Sequence, residues 1–373
     1  MKYLFLIILF ILNILIVNTS FQTTIFAKTN LDNKGKNLLL SPLSIFQVLG
    51  LTTNGASGTT QKEMMTALEA STIENLNNIN FQLIKTIKKF RTTEIANGVM
   101  SRAMPSKSFM KMCDKYEAPV EKLISLEQVN GWCKKKTHGK IDKILDSLGN
   151  DVIMILINAV YFKGDWAFPF NPKFTRDGLF GDQNSIKKKV KMMSQTSRFN
   201  YYIDRTVQAI ELPYKNDSMS ALIILPYSGA DIDSFVNTLK INDSYLSRII
   251  TGMKKTMVKL NLPKFEVEFK IFLNKALQKL GMKKAFTPAA EFSGISDTTA
   301  MFIEAVIHKT YLKVDENGSE AAAVTAVIMS NGTVPFTPKL TIMNVNRPFI
   351  FILKSKLLPK NNDLLFIGKI KDI

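Results

Sequence analysis

Ser319, Ala321, Ala323 and Thr325 are small, uncharged and spaced two apart, a pattern that equips a chain for movement more than for catalysis. Successive side chains of a β-strand point to opposite faces, so these four share one environment. Gly318, Glu320, Ala322 and Val324 share the other, where the Glu320 charge stays in water. A strand of this kind can slide between two existing strands without burying a charge, which would be heavily penalised. Yet Ala is a weak strand former, and the flanking Asn317-Gly318 and Asn331-Gly332 read as turn or loop. Val314 to Thr325 is therefore suited to two states, an exposed loop and an inserted strand.

Residues that could carry covalent or acid–base chemistry are few. His138 and His308 are the two histidines, and no GxSxG elbow, HExxH pair, P-loop or GxGxxG with an acidic partner occurs. His308 stands alone in an apolar stretch with no nucleophile motif pointing to it, which reads as a hydrogen-bonded core residue. Cys113 and Cys133 have no CxxC partner and no nearby histidine constellation, so neither suggests metal or redox chemistry. Two cysteines cannot supply a disulfide framework, although one bridge or two free thiols both stay open. The reading is a non-enzyme without cofactor or metal.

The elements that must position the mobile segment follow from apolar patterning. Leu83, Ile87 and Phe90 at i, i+4, i+7 predict an amphipathic helix over Asn77 to Arg91. Asp151 to Phe162 is a nearly continuous apolar run, suited to a central strand buried on both faces. Ala209 to Leu212, Ser220 to Leu225, Met257 to Leu262 and Pro348 to Leu353 are further strands. Helices early and strands late give an α+β fold class. The 373 residues show no linker, repeat or low-complexity tract, so a single domain is expected over 21–373. Tyr3 to Val17, apolar after Met1-Lys2, is short for a membrane span of about 20 residues and reads as a signal peptide over 1–20. Ser20 or Ala27 could end it, and a buried helix or an uncleaved signal is the alternative. The chain is then secreted. Its formal charge of +18 favours an extracellular polyanion. Nucleic acid is disfavoured, because aromatics are not interleaved with the basic residues and no zinc-finger or RNA-recognition signature occurs.

Val314 to Thr325 resembles the reactive-loop hinge of the serpins, the serine protease inhibitor superfamily. Other blocks match that family in order: Asn37 to Ser44, Asn158 to Trp166 with Pro169-Phe170 and Thr175, Leu212-Pro213-Tyr214, and Leu262 to Phe265. Phe292 to Ser296, Asn346 to Phe349 and Phe366 to Lys369 complete a series running from about residue 17 to the C-terminus. The resemblance implies a serpin fold, with a large central sheet, further sheets, helices packed around them and an exposed reactive-centre loop. It implies a monomer that traps a serine or cysteine endopeptidase. The enzyme cleaves the loop, forms an acyl-enzyme and is displaced as the loop inserts as a strand. Non-inhibitory serpins, which serve as carriers, chaperones or storage proteins, are the alternative.

Residue by residue, the resemblance assigns Glu316 and Lys264 to an ion pair at the loop base. It assigns Gly318, Ser319, Glu320, Ala321, Ala322, Ala323, Val324 and Thr325 to the hinge. Ser41, Ser44, Asn158 and His308 become a buried polar cluster where the main sheet opens. Counting from Glu316 places the scissile bond at Gly332-Thr333, with Asn331-Gly332 one residue away. Counting back from Pro348 reaches Thr337 instead. No Lys or Arg lies between Asn317 and Pro338, which disfavours a trypsin-like target. Met329 and Phe336 suit a chymotrypsin- or elastase-like one. Lys85, Lys88, Lys89 and Arg91 lie on the helix that binds glycosaminoglycan in some serpins, and a heparin-like polyanion is the expected partner there. Sequons start at Asn216, Asn242, Asn317 and Asn331, which makes the protein a candidate glycoprotein. The two in the loop are expected to be unused, since a glycan at Asn317 would block insertion and one at Asn331 would shield the cut site.

Overall fold

Helices crowd the first third of the chain, as the patterning predicts. α1 (Phe21–Asn30), α2 (Pro42–Thr53), α3 (Gly58–Ala67), α4 (Ile73–Ile87), α5 (Lys107–Lys115) and α6 (Leu126–Lys136) alternate with β1 (Leu38–Leu40), β2 (Thr93–Ser101) and β3 (Val120–Lys122). Then come β4 (Met154–Phe162), β5 (Gly164–Asp165), β6 (Arg176–Phe180), β7 (Lys188–Ile203), β8 (Val207–Pro213) and β9 (Met219–Pro226). α7 (Ile232–Ile241) and α8 (Asp243–Thr251) precede β10 (Lys254–Pro263) and β11 (Phe265–Phe272). α9 (Asn274–Lys279), β12 (Ala305–Val314), β13 (Gly318–Ser319), β14 (Thr341–Asn344), β15 (Phe349–Ser355) and β16 (Leu364–Ile370) complete the order.

The computed structural model describes residues 20–319 and 340–373, apart from 91, 92, 104, 151, 184, 216, 217, 242, 297, 299 and 360–362. Residues 1–19, the hinge positions Glu320 to Thr325, the candidate cleavage sites at Asn331, Gly332 and Thr333, and Arg91 therefore lie outside the described residues.

Among the described residues a five-stranded sheet runs in the order β11-β12-β4-β2-β3, and a nine-stranded sheet holds β1, β6 to β10 and β14 to β16. β4 lies at the centre of the smaller one. Its Leu156, Val160 and Phe162 enter the main core, while Ile155, Ile157 and Tyr161 face α6. Burial on both faces explains its unbroken apolar run. α2 packs behind the sheet with all twelve residues buried, and Pro42 at its start is tolerated because that N–H needs no partner. α6 covers the other face, seating Val129, Trp132 and Cys133 against Ile157 and Ile307.

β4 and β12 pair in parallel, with His308 opposite Asn158, whereas β4 meets β2 and β12 meets β11 in antiparallel fashion. Parallel pairing is slightly less stable per residue, so this seam is weaker than the antiparallel ladders on either side of it.

The predicted helix over Asn77 to Arg91 is displaced toward the N-terminus. Thr72 caps it, its hydroxyl accepting from the Asn75 N–H at 3.0 Å, and the helix ends at Ile87. Phe90 is buried after the end of the helix, with a turn that includes Lys89. Asn75, Asn77, Asn78 and Asn80 obscured the start, because Asn is a poor interior helix former.

Candidate functional site

The upper end of the β4–β12 seam is already occupied. β12 stops at Val314, and the Asp315 N–H donates to the Gly318 carbonyl at 2.9 Å to turn the chain back. The N–H groups of Trp166 and Phe170 donate to the carbonyls of Asn317 and Glu316, each at 2.8 Å. β13 then pairs antiparallel with β5, the short continuation of β4, with Gly318 opposite Asp165 and Ser319 opposite Gly164. Only glycine fits at 318. A Cβ there would lie 2.0 Å from the Gly164 carbonyl oxygen and 2.7 Å from the Asp165 Cα, both backbone atoms that cannot yield.

Ser319 is fully buried, and its hydroxyl shares a 2.8 Å hydrogen bond with that of Tyr214. Trp166 stacks on Tyr214 at 4.5 Å between centroids, Phe162 meets the same ring edge-on at 5.0 Å, and the Trp166 indole N–H donates to the Asp315 carbonyl at 3.0 Å. Of the two states that the sequence allows, Gly318 and Ser319 are in the strand state, in a two-stranded ladder with β5.

Glu316 anchors the base of this turn. Lys264 lies 2.8 Å from one carboxylate oxygen, and the Thr175 hydroxyl donates to the other at 2.8 Å. Burial pushes the Glu316 pKa up, but the Lys264 hydrogen bond and charge and the Thr175 bond outweigh it, leaving the group below its ordinary value. Trp166, Tyr214 and Thr175 stood in the quoted motifs without an assigned task. The structure gives them these contacts.

Lower on the same seam lies the polar cluster. His308 is fully buried, and its Nε2 accepts from the Ser41 backbone N–H at 3.0 Å. Nδ1 must then carry the proton, and it donates to the Asn158 Oδ1, which also accepts from the Ser44 hydroxyl at 2.8 Å. The Asn158 amide donates onward to Asn97 on β2, whose own amide donates to Gln47 of α2 at 3.3 Å. Ser41 takes part through its backbone, and its hydroxyl has no protein partner. Asn97 and Gln47 were missed: each is a single amide in an apolar context, and only strand register, which sets Asn97 opposite Asn158, and the packing of α2 on the sheet bring them together.

Desolvation pushes the His308 pKa down to about 3, so the ring is neutral at physiological pH. A histidine held neutral stabilises the fold fully above its unfolded value near 6.5, and that contribution is lost as the pH falls toward 3. At pH 5 the loss is on the order of 2 kcal/mol at 1.36 kcal/mol per pH unit. Denaturant unfolding at pH 7.5 and pH 5 should show this loss in the wild type and much less of it in His308→Gln. Equal losses in both proteins would refute the assignment. Glu316, held below its ordinary value of 4.5, affects stability only at lower pH, so the two windows are separate.

Cys113 and Cys133 are both free and buried, and burial pushes each thiol up to about 12. Among the described residues no group of three or more metal-binding side chains occurs. Lys85, Lys88 and Lys89 are all exposed. Lys88 is engaged by Glu117 at 2.5 Å, and Lys89 lies beyond the helix, so the shared basic face is smaller than the spacing implied.

The model of the family described as serpin (serine protease inhibitor) matches residues 17–373. The chain belongs to the serpin family. Among relatives, the leukocyte elastase inhibitor of Xenopus laevis is 31% identical over 94% of this serpin and 97% of that protein. Intracellular coagulation inhibitor 2 of Tachypleus tridentatus is 30% identical over 91% of this chain and 87% of its own. The structure of the thermophilic serpin tengpin in its native state superposes with a TM-score of 0.86 at 32% identity, covering 95% of this serpin and 93% of tengpin. The α+β serpin fold expected from the sequence is the fold observed.

Proposed function

We propose that this serpin inhibits a serine endopeptidase by loop cleavage and insertion of Gly318 to Thr325 into the β4–β12 seam. One observation carries the reading: Gly318 and Ser319 are already paired with β5 at the mouth of that seam, with Ser319 buried. The four small residues on the face of Ser319 continue that strand in sequence without a charge to bury. Relatives named as inhibitors of coagulation and of leukocyte elastase support an inhibitor over a carrier or storage protein. The sheet-opening role of the His308 cluster and the loop-base role of Glu316–Lys264 belong to the same proposal.

The finer assignments follow from sequence. With no Lys or Arg between Asn317 and Pro338, the target is elastase- or chymotrypsin-like, and cleavage falls at Gly332-Thr333 or one bond earlier. A cysteine protease of the papain type is the second reading. Tyr3 to Val17 supports secretion through a signal peptide, the domain beginning near residue 21. The serpin acts as a monomer, with Lys85, Lys88, Lys89 and Arg91 contacting a heparin-like polyanion. Mixing the intact protein with pancreatic elastase or chymotrypsin should give a complex that survives denaturing gel electrophoresis. Cleavage of the loop with full return of active enzyme would defeat the inhibitor reading.

A further inference from the structure

Three cations without carboxylate partners converge on a recess in the nine-stranded sheet. Arg198 on β7, Lys255 on β10 and Lys356 just after β15 line a cavity of about 230 Å³ together with Asn200, Glu211 and Ser220. The register explains the grouping. Asn200 lies directly opposite Lys255, and Arg198 is two residues from Asn200, so all three share one sheet face. Lys356 is brought in from the far side, where its N–H donates to the Ser218 carbonyl at 2.8 Å. All three charged side chains belong to exposed residues, and none forms an ion pair among the described residues.

One anion lies in the wall, and it is fully engaged. One Glu211 oxygen accepts from the Ser220 hydroxyl at 2.7 Å and the Lys354 ammonium at 2.8 Å, the other from the Asn200 amide at 2.7 Å. Burial would raise the Glu211 pKa, yet these partners hold it down to about 2, so it stays ionised in any ordinary buffer. The Glu211–Lys354 pair is neutral as a unit, which leaves three uncompensated cations around the recess.

Like charges gathered at one site repel one another, and a protein that keeps them there is stabilised by whatever anion neutralises them. We propose that this recess binds a sulfate or phosphate group. Arg198 supplies the planar fork that suits a tetrahedral oxyanion, while Lys255 and Lys356 act as point charges from the two sides. At about 30 Å³ per water, the cavity has room for such a group and several waters. The group could be a free ion or a sulfate ester of a polysaccharide, and this site is distinct from the α4 lysines.

The test compares the intact wild type with an Arg198→Gln/Lys255→Gln/Lys356→Gln variant. Melting temperature is followed as sodium phosphate, sodium sulfate or a heparin tetrasaccharide replaces chloride at fixed ionic strength. Sulfate and phosphate stabilise most proteins without binding, so the difference between the two proteins is the readout. The wild type should show a saturable rise of about 2 °C or more at ten times Kd, and the triple variant only the unsaturable drift. Without ligand, the variant should melt no lower than the wild type, because its charge crowding is relieved. Should it fail to fold, Arg198→Gln alone should weaken binding about tenfold. A tighter midpoint for the tetrasaccharide than for the ions identifies the polysaccharide as source, and equal midpoints identify the free ion. Equal responses in wild type and recess variant overturn the site. So does a tetrasaccharide response that Lys85→Ala/Lys88→Ala/Lys89→Ala abolishes and the recess variant leaves intact.

Discussion

Ser319→Arg is expected to turn this serpin from an inhibitor into a substrate of the same protease. Ser319 is the first residue of the hinge to be wholly enclosed, bonded to Tyr214 beneath the stacked Trp166 ring. A guanidinium placed there has no carboxylate to meet, and burying an unpaired charge costs several kcal/mol. The hinge must leave the sheet to keep that charge in water, and the loop then inserts against the same penalty after cleavage. Inhibition is a race between insertion and deacylation. About 3 kcal/mol added to the insertion barrier slows that step by more than a hundredfold, enough to let most acyl-enzymes deacylate. The moles of serpin consumed per mole of protease inactivated should rise by an order of magnitude or more, while the rate of loop cleavage changes little. Unchanged stoichiometry would mean that position 319 does not limit insertion, and would sink the insertion reading.

The opposite change should be far milder. Ser319→Thr keeps the hydroxyl and adds one methyl beside Tyr214, so the complex should still form. That contrast separates a requirement for small uncharged residues from a general sensitivity of the site.

How far these features could be read from sequence depended on whether their cause was local. The start of the hinge could be read because a strand alternates with period two: Gly318 and Ser319 pair with β5, whereas Glu320 to Thr325 lie outside the described residues. β4 was legible because burial on both faces makes its run continuously apolar. β7 was not identified. Its sixteen residues are only partly buried and carry Lys, Ser, Gln, Arg and Asn along much of their length. It exists because β6, β8 and β10 pair with it, an arrangement no local window reveals. The same holds for Asn97 and Gln47, which extend the His308 cluster across four elements, β12, β4, β2 and α2, and for the recess around Arg198. Glu316–Lys264 lay between these cases. Its residues stood in recognisable blocks, but Thr175 as the second donor emerged only when the chain was folded.

The intact fold can still admit one more strand at the β4–β12 seam. Insertion would replace the existing parallel β4–β12 ladder with two ladders of backbone hydrogen bonds along about a dozen residues, a net gain of roughly a dozen bonds or more. At a net ~0.5–1.5 kcal/mol per bond, the gain is on the order of 10 kcal/mol or more. Typical folding stabilities are about 5–15 kcal/mol, so insertion should transform the thermal behaviour of the molecule. The direct measurement is the melting temperature before and after a single cut between Met329 and Phe336, made by any protease that cleaves there, with both fragments retained. Insertion predicts a rise of tens of degrees for the cleaved form, and it requires no knowledge of the natural target. Superimposable melting curves for the intact and cleaved forms would contradict the account, because they would mean that the freed strand finds no place in the sheet.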